Sequence, residues 1–224
     1  MDTCTRPCLN RSLNRIRRST ALFTVLAALL VVPAFAQPLQ PIPLPKPQIA
    51  GGMPLMQALA QRHTTRIFDD RDLSLQTLSN LLWAAFGVNR PREVMRGMGR
   101  TAPSAMNSQD IELDVILPNG VYAYDAEQNL LRPILAGDLR ASMLTEPEAR
   151  AHVTILYVAD AKDTFAQVDT GFIGQNVYLF AASEGLNAWF YTVKAERITA
   201  ALKLPNTRLP LYAQSVGYPP APLK

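Results

Sequence analysis

Pro103-Ser104-Ala105-Met106-Asn107-Ser108-Gln109 runs straight into Ile111-Glu112-Leu113-Asp114-Val115-Ile116-Leu117, a tight polar loop delivering the chain into a strand. The strand reading rests on parity: Ile111, Leu113, Val115 and Leu117 share one face, while Glu112 and Asp114 point the other way. Asn119-Gly120 then favours a tight hairpin into Val121 to Tyr124. About forty residues upstream stands Arg62-His63-Thr64-Thr65-Arg66. Two guanidiniums and two hydroxyls suit a phosphate, because Arg presents a planar fork of donors and Thr adds a short neutral one. Each segment also has a plainer reading, as a basic helix end and an ordinary strand-entry turn.

Outward from these segments the periodicity alternates between helix and strand. Residues 53–61 read as a short helix. Leu75, Leu78, Leu81, Leu82, Ala85 and Phe86 recur at helical spacing, with Ser74 as N-cap and Gly87 as stop. A short helix over 138–144 precedes His152 to Ala159, an apolar run of buried-strand length. A helix from Thr170 to Glu184, capped by Asp169 and closed by Gly185, is followed by a strand at 189–193, a helix at 195–203 and a strand at 211–217. The pattern is α+β, without internal repeats.

Taken in order, the two opening segments resemble the FMN-dependent nitroreductase family, whose Arg-Arg/His-Ser/Thr-x-Arg/Lys segment holds the flavin and whose Pro-Ser-Ala/Ser-x-Asn-x-Gln loop reaches it from the partner subunit. The resemblance runs from about Ala60 to Lys224 and is closest to the branch that includes dehydrogenases of thiazole- and oxazole-containing peptides. Supporting stretches are Asn119 to Asp125, Gly137 to Arg140, Gln175 to Leu179 with Ala181-Ala182 and Gly185-Leu186, and Val216 to Pro219. The resemblance implies a central, mainly antiparallel sheet flanked by helices, in an interlocked homodimer with two FMN molecules at the interface. It assigns Arg62, His63 and Thr64 to the phosphate and ribitol, with Lys224 as a further candidate. Arg66 falls to the pyrimidine edge, where a cation stabilises the anion of reduced flavin. Pro103, Ser104, Ala105 and Asn107 come from the partner chain, and Thr192 and Val193 offer backbone contacts to the ring. Many relatives carry a Gly-Gly or Glu-Gly pair at that ring; this chain has Trp189-Phe190-Tyr191-Thr192-Val193.

Residues 1–36 read as an export signal. Arg11, Arg15, Arg17 and Arg18 precede an apolar run from Ala21 to Val32, and Ala34-Phe35-Ala36 is a small-x-small cleavage site. The rival, an uncleaved membrane anchor, needs roughly 20 apolar residues, more than this run supplies. The cleaved chain is periplasmic or secreted, has no stable membrane insertion, and begins at Gln37. Both cysteines, Cys4 and Cys8, leave with the leader. So do five arginines and one acid of the 22 Lys+Arg and 18 Asp+Glu, leaving 17 of each. A neutral domain gives no electrostatic case for nucleic acid. Residues 37–52, with proline at 38, 41, 43, 45 and 47, read as a stiff, extended linker or, alternatively, a ligand for a proline-recognition module. Residues 53–224 form the catalytic or binding domain.

Three motifs point elsewhere and are set aside. Gly97-Met98-Gly99-Arg100-Thr101-Ala102 superficially fits a dinucleotide loop, but Pro103 arrives where a helix must open. Asp169-Thr170-Gly171 matches an aspartic-protease triplet yet sits in a helical pattern, and one copy supplies only half of the required carboxylate pair. His63 and His152 are the only histidines and the mature chain has no cysteine, so no metal site is expected. The function expected is hydride transfer through flavin to or from a small or peptide-like molecule. NAD(P)H as donor is in question because nicotinamide cofactors are cytoplasmic. The alternative is a non-catalytic flavin- or ligand-binding protein on the same fold.

Overall fold

The computed structural model describes residues 38–93, 97–144 and 151–221. The leader, residues 94–96 and 145–150, and the terminal residues including Lys224 lie outside the described residues.

Nine strands and five helices are described. They are β1 (Ile42–Pro43), α1 (Leu55–Gln61), α2 (Leu75–Phe86), β2 (Val88–Glu93), β3 (Gly97–Arg100), β4 (Glu112–Leu117), β5 (Gly120–Asp125), β6 (Leu130–Ala136), α3 (Arg140–Met143), β7 (Val153–Asp160), α4 (Ala166–Ser183), β8 (Asn187–Thr192), α5 (Ala195–Leu202) and β9 (Arg208–Gly217). Seven strands form one sheet in the order β1-β6-β5-β4-β7-β9-β8, every neighbouring pair antiparallel, and β2 and β3 form a separate hairpin. The expected α+β class is therefore observed.

Sequence parity sets the two layers. Ile111, Leu113, Val115 and Leu117 join Val153, Ile155 and Tyr157 of β7 beneath α2 and α4. Ile116, Leu156, Val158 and Ala213 face the other way, under Met143 at the end of α3 and Ile198 and Leu202 of α5. Both faces are covered, so the side of β4 that carries Glu112 and Asp114 belongs to a second packed layer. Glu112 is exposed and pairs with Arg208 at 2.8 Å. Asp114, opposite Leu156, is 3% exposed. Desolvation, reinforced by Glu112 and opposed by Arg208, pushes its pKa up to about 7.

Local chemistry sets the ends of the helices. The Ser74 side chain accepts from the Thr77 N–H to open α2, and Gly87 closes it. Gly185, at φ 66°, closes α4 while the Leu186 N–H donates to the Ala181 carbonyl, satisfying a carbonyl the helix leaves open. Asp169 is not the α4 cap: the helix begins one turn earlier, at Ala166, because this carboxylate serves a different partner. The hairpin after β4 turns at Pro118-Asn119, with Gly120 already paired to Leu117.

The proline segment is extended as expected but is packed, which corrects the linker reading. Ile42 and Pro43 pair with Leu131 and Leu130 on the edge of β6, and Leu44 is buried. Asn129 holds it by donating to the Leu44 and Pro45 carbonyls at 3.2 and 2.8 Å, while Gln76 donates to the Lys46 carbonyl at 3.0 Å.

Candidate functional site

The site lies along the outer edge of β8, where α1 ends and the chain runs as an irregular segment from Arg62 to Phe68. The Thr65 N–H donates to the Ala188 carbonyl at 3.0 Å, and Asn187 Nδ2 donates to the Ile67 carbonyl at 2.6 Å. These bonds fix the segment against an edge strand whose outward backbone groups need partners. Residues 188, 190 and 192 present their N–H and C=O groups to that edge, because backbone direction alternates along a strand.

Tyr178, on α4, is the hub. Its hydroxyl accepts from the Phe190 N–H at 2.9 Å and hydrogen-bonds the Thr64 hydroxyl at 2.9 Å. Arg62 places its guanidinium 5.5 Å from the centre of the Tyr178 ring. Gly174 permits this approach of α4 to β8, since a Cβ there would meet the Phe190 ring at 2.9 Å. Arg66 lies on the other side of the strand, 4.9 Å from the centre of the Trp189 indole. Among the described residues neither Arg62 nor Arg66 has a carboxylate partner. Two cations are thus held on aromatic rings with their charge uncompensated. His63 bonds the Gln61 carbonyl at 2.7 Å and, with Tyr178 and Gly185 to Asn187, lines a cleft of about 150 Å³.

The loop expected to contact the cofactor is built by a different set of bonds. Ala105 N–H donates to Asp169 Oδ1 at 2.9 Å, and Ser104 Oγ accepts from the Gln109 N–H at 3.1 Å. Met106, Asn107 and Gln109 adopt φ of 54, 56 and 52°, a region that costs a non-glycine residue about 1–2 kcal/mol. Backbone in this region clusters at active sites and ligand clamps. It also throws Met106 outward, 91% exposed. Asp110 and Asp163 adjoin Asp169, their carboxylate oxygens all within 4.8 Å. Desolvation and a hydrogen bond to Asp163 hold the Asp110 pKa above its ordinary value.

The expected site residues therefore fall into two groups. Arg62, His63, Thr64 and Arg66 converge on β8. Pro103, Ser104, Ala105 and Asn107 gather at the start of α4, where their anchor Asp169 precedes Tyr178 by nine residues, roughly 13 Å along the helix. Within one chain the groups are apart. Thr192 ends β8, and Val193 follows it, half-buried against the core beneath α5. Sequence reasoning left the role of Tyr178 unassigned and read Asp169 as a helix cap rather than as the anchor of Ala105; the signal for Tyr178 was a helical tyrosine whose hydroxyl needs a partner when covered. The decoys resolve as expected: Gly97 to Arg100 is strand β3, and Asp169 to Gly171 lies within α4.

An antiparallel sheet packed on both faces by helices, with two uncompensated cations at one strand edge, makes an α+β protein with a basic strand edge. The sequence pattern of the nitroreductase family matches residues 59–218, and the chain belongs to that family, whose members are in general flavin-dependent oxidoreductases. A crystal structure of a candidate nitroreductase from Ralstonia eutropha is 34% identical, with a TM-score of 0.72 over 81% of this chain and 90% of that one. A candidate nitroreductase of Methanocaldococcus jannaschii is 28% identical over 153 residues, 59% of this chain and 75% of the relative. An FMN-dependent nitroreductase from Clostridium difficile shares the fold at 14% identity, with a TM-score of 0.52 over 76% of this chain and 92% of that one.

Proposed function

We propose that this protein is an exported, homodimeric FMN-dependent oxidoreductase that passes a hydride to or from a small or peptide-like substrate. The uncompensated pair Arg62 and Arg66, stacked on Tyr178 and Trp189 at the edge of β8, carries this reading. FMN brings a phosphate dianion and a ring with a polar pyrimidine edge, and the donor set fits both. Arg62, His63 and Thr64 would hold the phosphate and ribitol, and Arg66 the pyrimidine edge. The backbone groups of Thr192 and Val193 would meet the ring. Bound FMN supplies hydride transfer, so the chain needs no acid–base dyad of its own. What the chain contributes is position, charge and exclusion of water.

Two observations favour a second subunit. The cleft of about 150 Å³ falls short of the roughly 300–1,000 Å³ that encloses a ligand of this size. In addition, Phe165, Val168 and Phe172 form an exposed apolar stripe along the start of α4, 41 to 52% exposed, and Met106, in the loop tied to Asp169 of the same helix, is exposed too. A partner seated there would cover the stripe and bring its own Ser104, Ala105 and Asn107 to the flavin. Trp189 and Tyr191 support the alternative reading, a non-catalytic flavin-binding protein, because they fill the strand where glycines leave room for substrate. Purified protein supplied with FMN is expected to be yellow with about one flavin per chain. Colourless protein that shows no FMN binding on titration refutes the flavin reading. Reduction by NADH, NADPH or another donor followed by reoxidation by an acceptor distinguishes the enzyme from the binding protein.

A further inference from the structure

The even and odd residues of β8 do different work. Ala188 and Phe190 face α4, whereas Trp189 and Tyr191 face the layer of α5, their rings 4.9 Å apart. Behind them runs a chain of polar contacts into the sheet. The Tyr191 hydroxyl bonds Ser215 Oγ at 3.0 Å, and Ser215 Oγ bonds Thr154 Oγ1 at 3.0 Å. Ser215 and Thr154 are fully buried on β9 and β7. The indole therefore packs against a ring that is tied into the buried core. Arg66 places its guanidinium 4.9 Å from the centre of the same indole. No carboxylate competes for that guanidinium among the described residues.

We infer that Trp189 is a positioning residue: braced by Tyr191 and Ser215, it holds the Arg66 guanidinium at the strand edge so that the cation is in place before FMN binds. The inference rests on the flavin reading above. The physical reason is that an exposed Arg otherwise samples many rotamers and must be ordered at the moment of binding. Stacking on the indole orders it beforehand, and its charge stays available because a π face attracts a cation without neutralising it. The same feature gives the bulky strand a purpose: Trp189 is a platform for the arginine.

The test measures FMN affinity and the two-electron midpoint potential of bound FMN in full-length mature protein. Trp189→Leu is expected to raise the FMN dissociation constant about three- to fivefold, the scale of an exposed cation–π contact. Its effect on reduced flavin exceeds that on oxidised flavin by about fivefold, or roughly 20 mV toward negative potential at about 30 mV per decade. Trp189→Phe keeps a π face and should retain most of both properties. In an Arg66→Ala background, Trp189→Leu should leave the potential unmoved, because the effect acts through the arginine. Equal shifts in both backgrounds would mean that Trp189 only supports the strand, and an unchanged potential in Trp189→Leu would overturn the inference outright. If the leucine variant fails to fold, Tyr191→Phe removes only the hydroxyl brace and is expected to shift the potential in the same direction by a smaller amount; no shift there counts against the inference. Absence of FMN binding by the wild-type protein would instead defeat the flavin reading on which it stands.

Discussion

Asp114→Asn is expected to stabilise the protein, and to do so more at high pH than at low. The side chain is 3% exposed in the middle of the sheet, and burial moves its pKa from 3.8 to about 7. Protonation therefore favours the folded state. The stability linked to Asp114 is fully present below pH 3.8 and is lost as pH rises through 7. A shift of about three units at about 1.4 kcal/mol each gives a total loss of about 4 kcal/mol, a large share of the roughly 5–15 kcal/mol available to a folded domain. Single-site titration places somewhat under half of that loss by pH 5 and nearly all of it by pH 8. Asparagine carries no charge to desolvate, so its advantage over wild type should grow by about 2–3 kcal/mol between those pH values. Urea denaturation of both proteins at about pH 5 and about pH 8, at fixed protein and FMN concentration, reads this directly. With a slope of about 2 kcal/mol/M, the gap between midpoints widens by about 1 M. A gap independent of pH would refute the reasoning, since any packing effect of the amide is the same at both.

Arg62→Ala should weaken FMN binding by more than about tenfold, because a charge-assisted hydrogen bond contributes roughly 1.5–3 kcal/mol, whereas Ser104→Ala should cost less; equal flavin retention by Arg62→Ala and wild type would remove Arg62 from the site. Light scattering should give the mass of a dimer for the flavin-loaded protein at low micromolar concentration, and a flavin-loaded monomer would contradict the assignment of Ser104 and Asn107 to the partner's site. Replacing Arg17 and Arg18 together with lysine keeps the charge a general secretory leader needs but removes the pair read by the twin-arginine route. If that route carries the folded, FMN-loaded protein, periplasmic holoprotein should fall sharply, and undiminished holoprotein would show that flavin is acquired after export.

The parts of this fold legible in the sequence are those in which a short-range rule decides. Ser74, the leucine spacing and Gly87 specify α2 without reference to the rest of the chain, and the parity of Ile111 to Leu117 fixes which residues share a face. Parity does not say what covers either face, so the burial of Asp114 was not legible in it. Strand β6 escaped notice because Pro133 sits within it; proline is tolerated there opposite Tyr122 at a register shift, beyond the stretch where β1 pairs. At the site, motif order identified Arg62 to Arg66 and the Ser104 loop. It could not show that Tyr178 ties Thr64 to Phe190, because those three come from an irregular segment, a helix and a strand that meet only in the folded chain. Asp169 was legible as an acid near a helix start, but its use as a latch for Ala105 depends on a contact 64 residues away.

The packed proline segment bears on where the domain is cut for laboratory work. Similarity to the family begins at residue 59, so a fragment designed from homology alone would start near α1 and discard residues 38–50. Such a fragment would uncover the seat of Leu44 and leave the Asn129 amide without the carbonyls it holds. It would also bare the β6 backbone opposite Leu130 and Leu131, a template on which another chain can add a strand. The short fragment should precipitate or form strand-paired aggregates, while one beginning at Pro38 should remain dispersed.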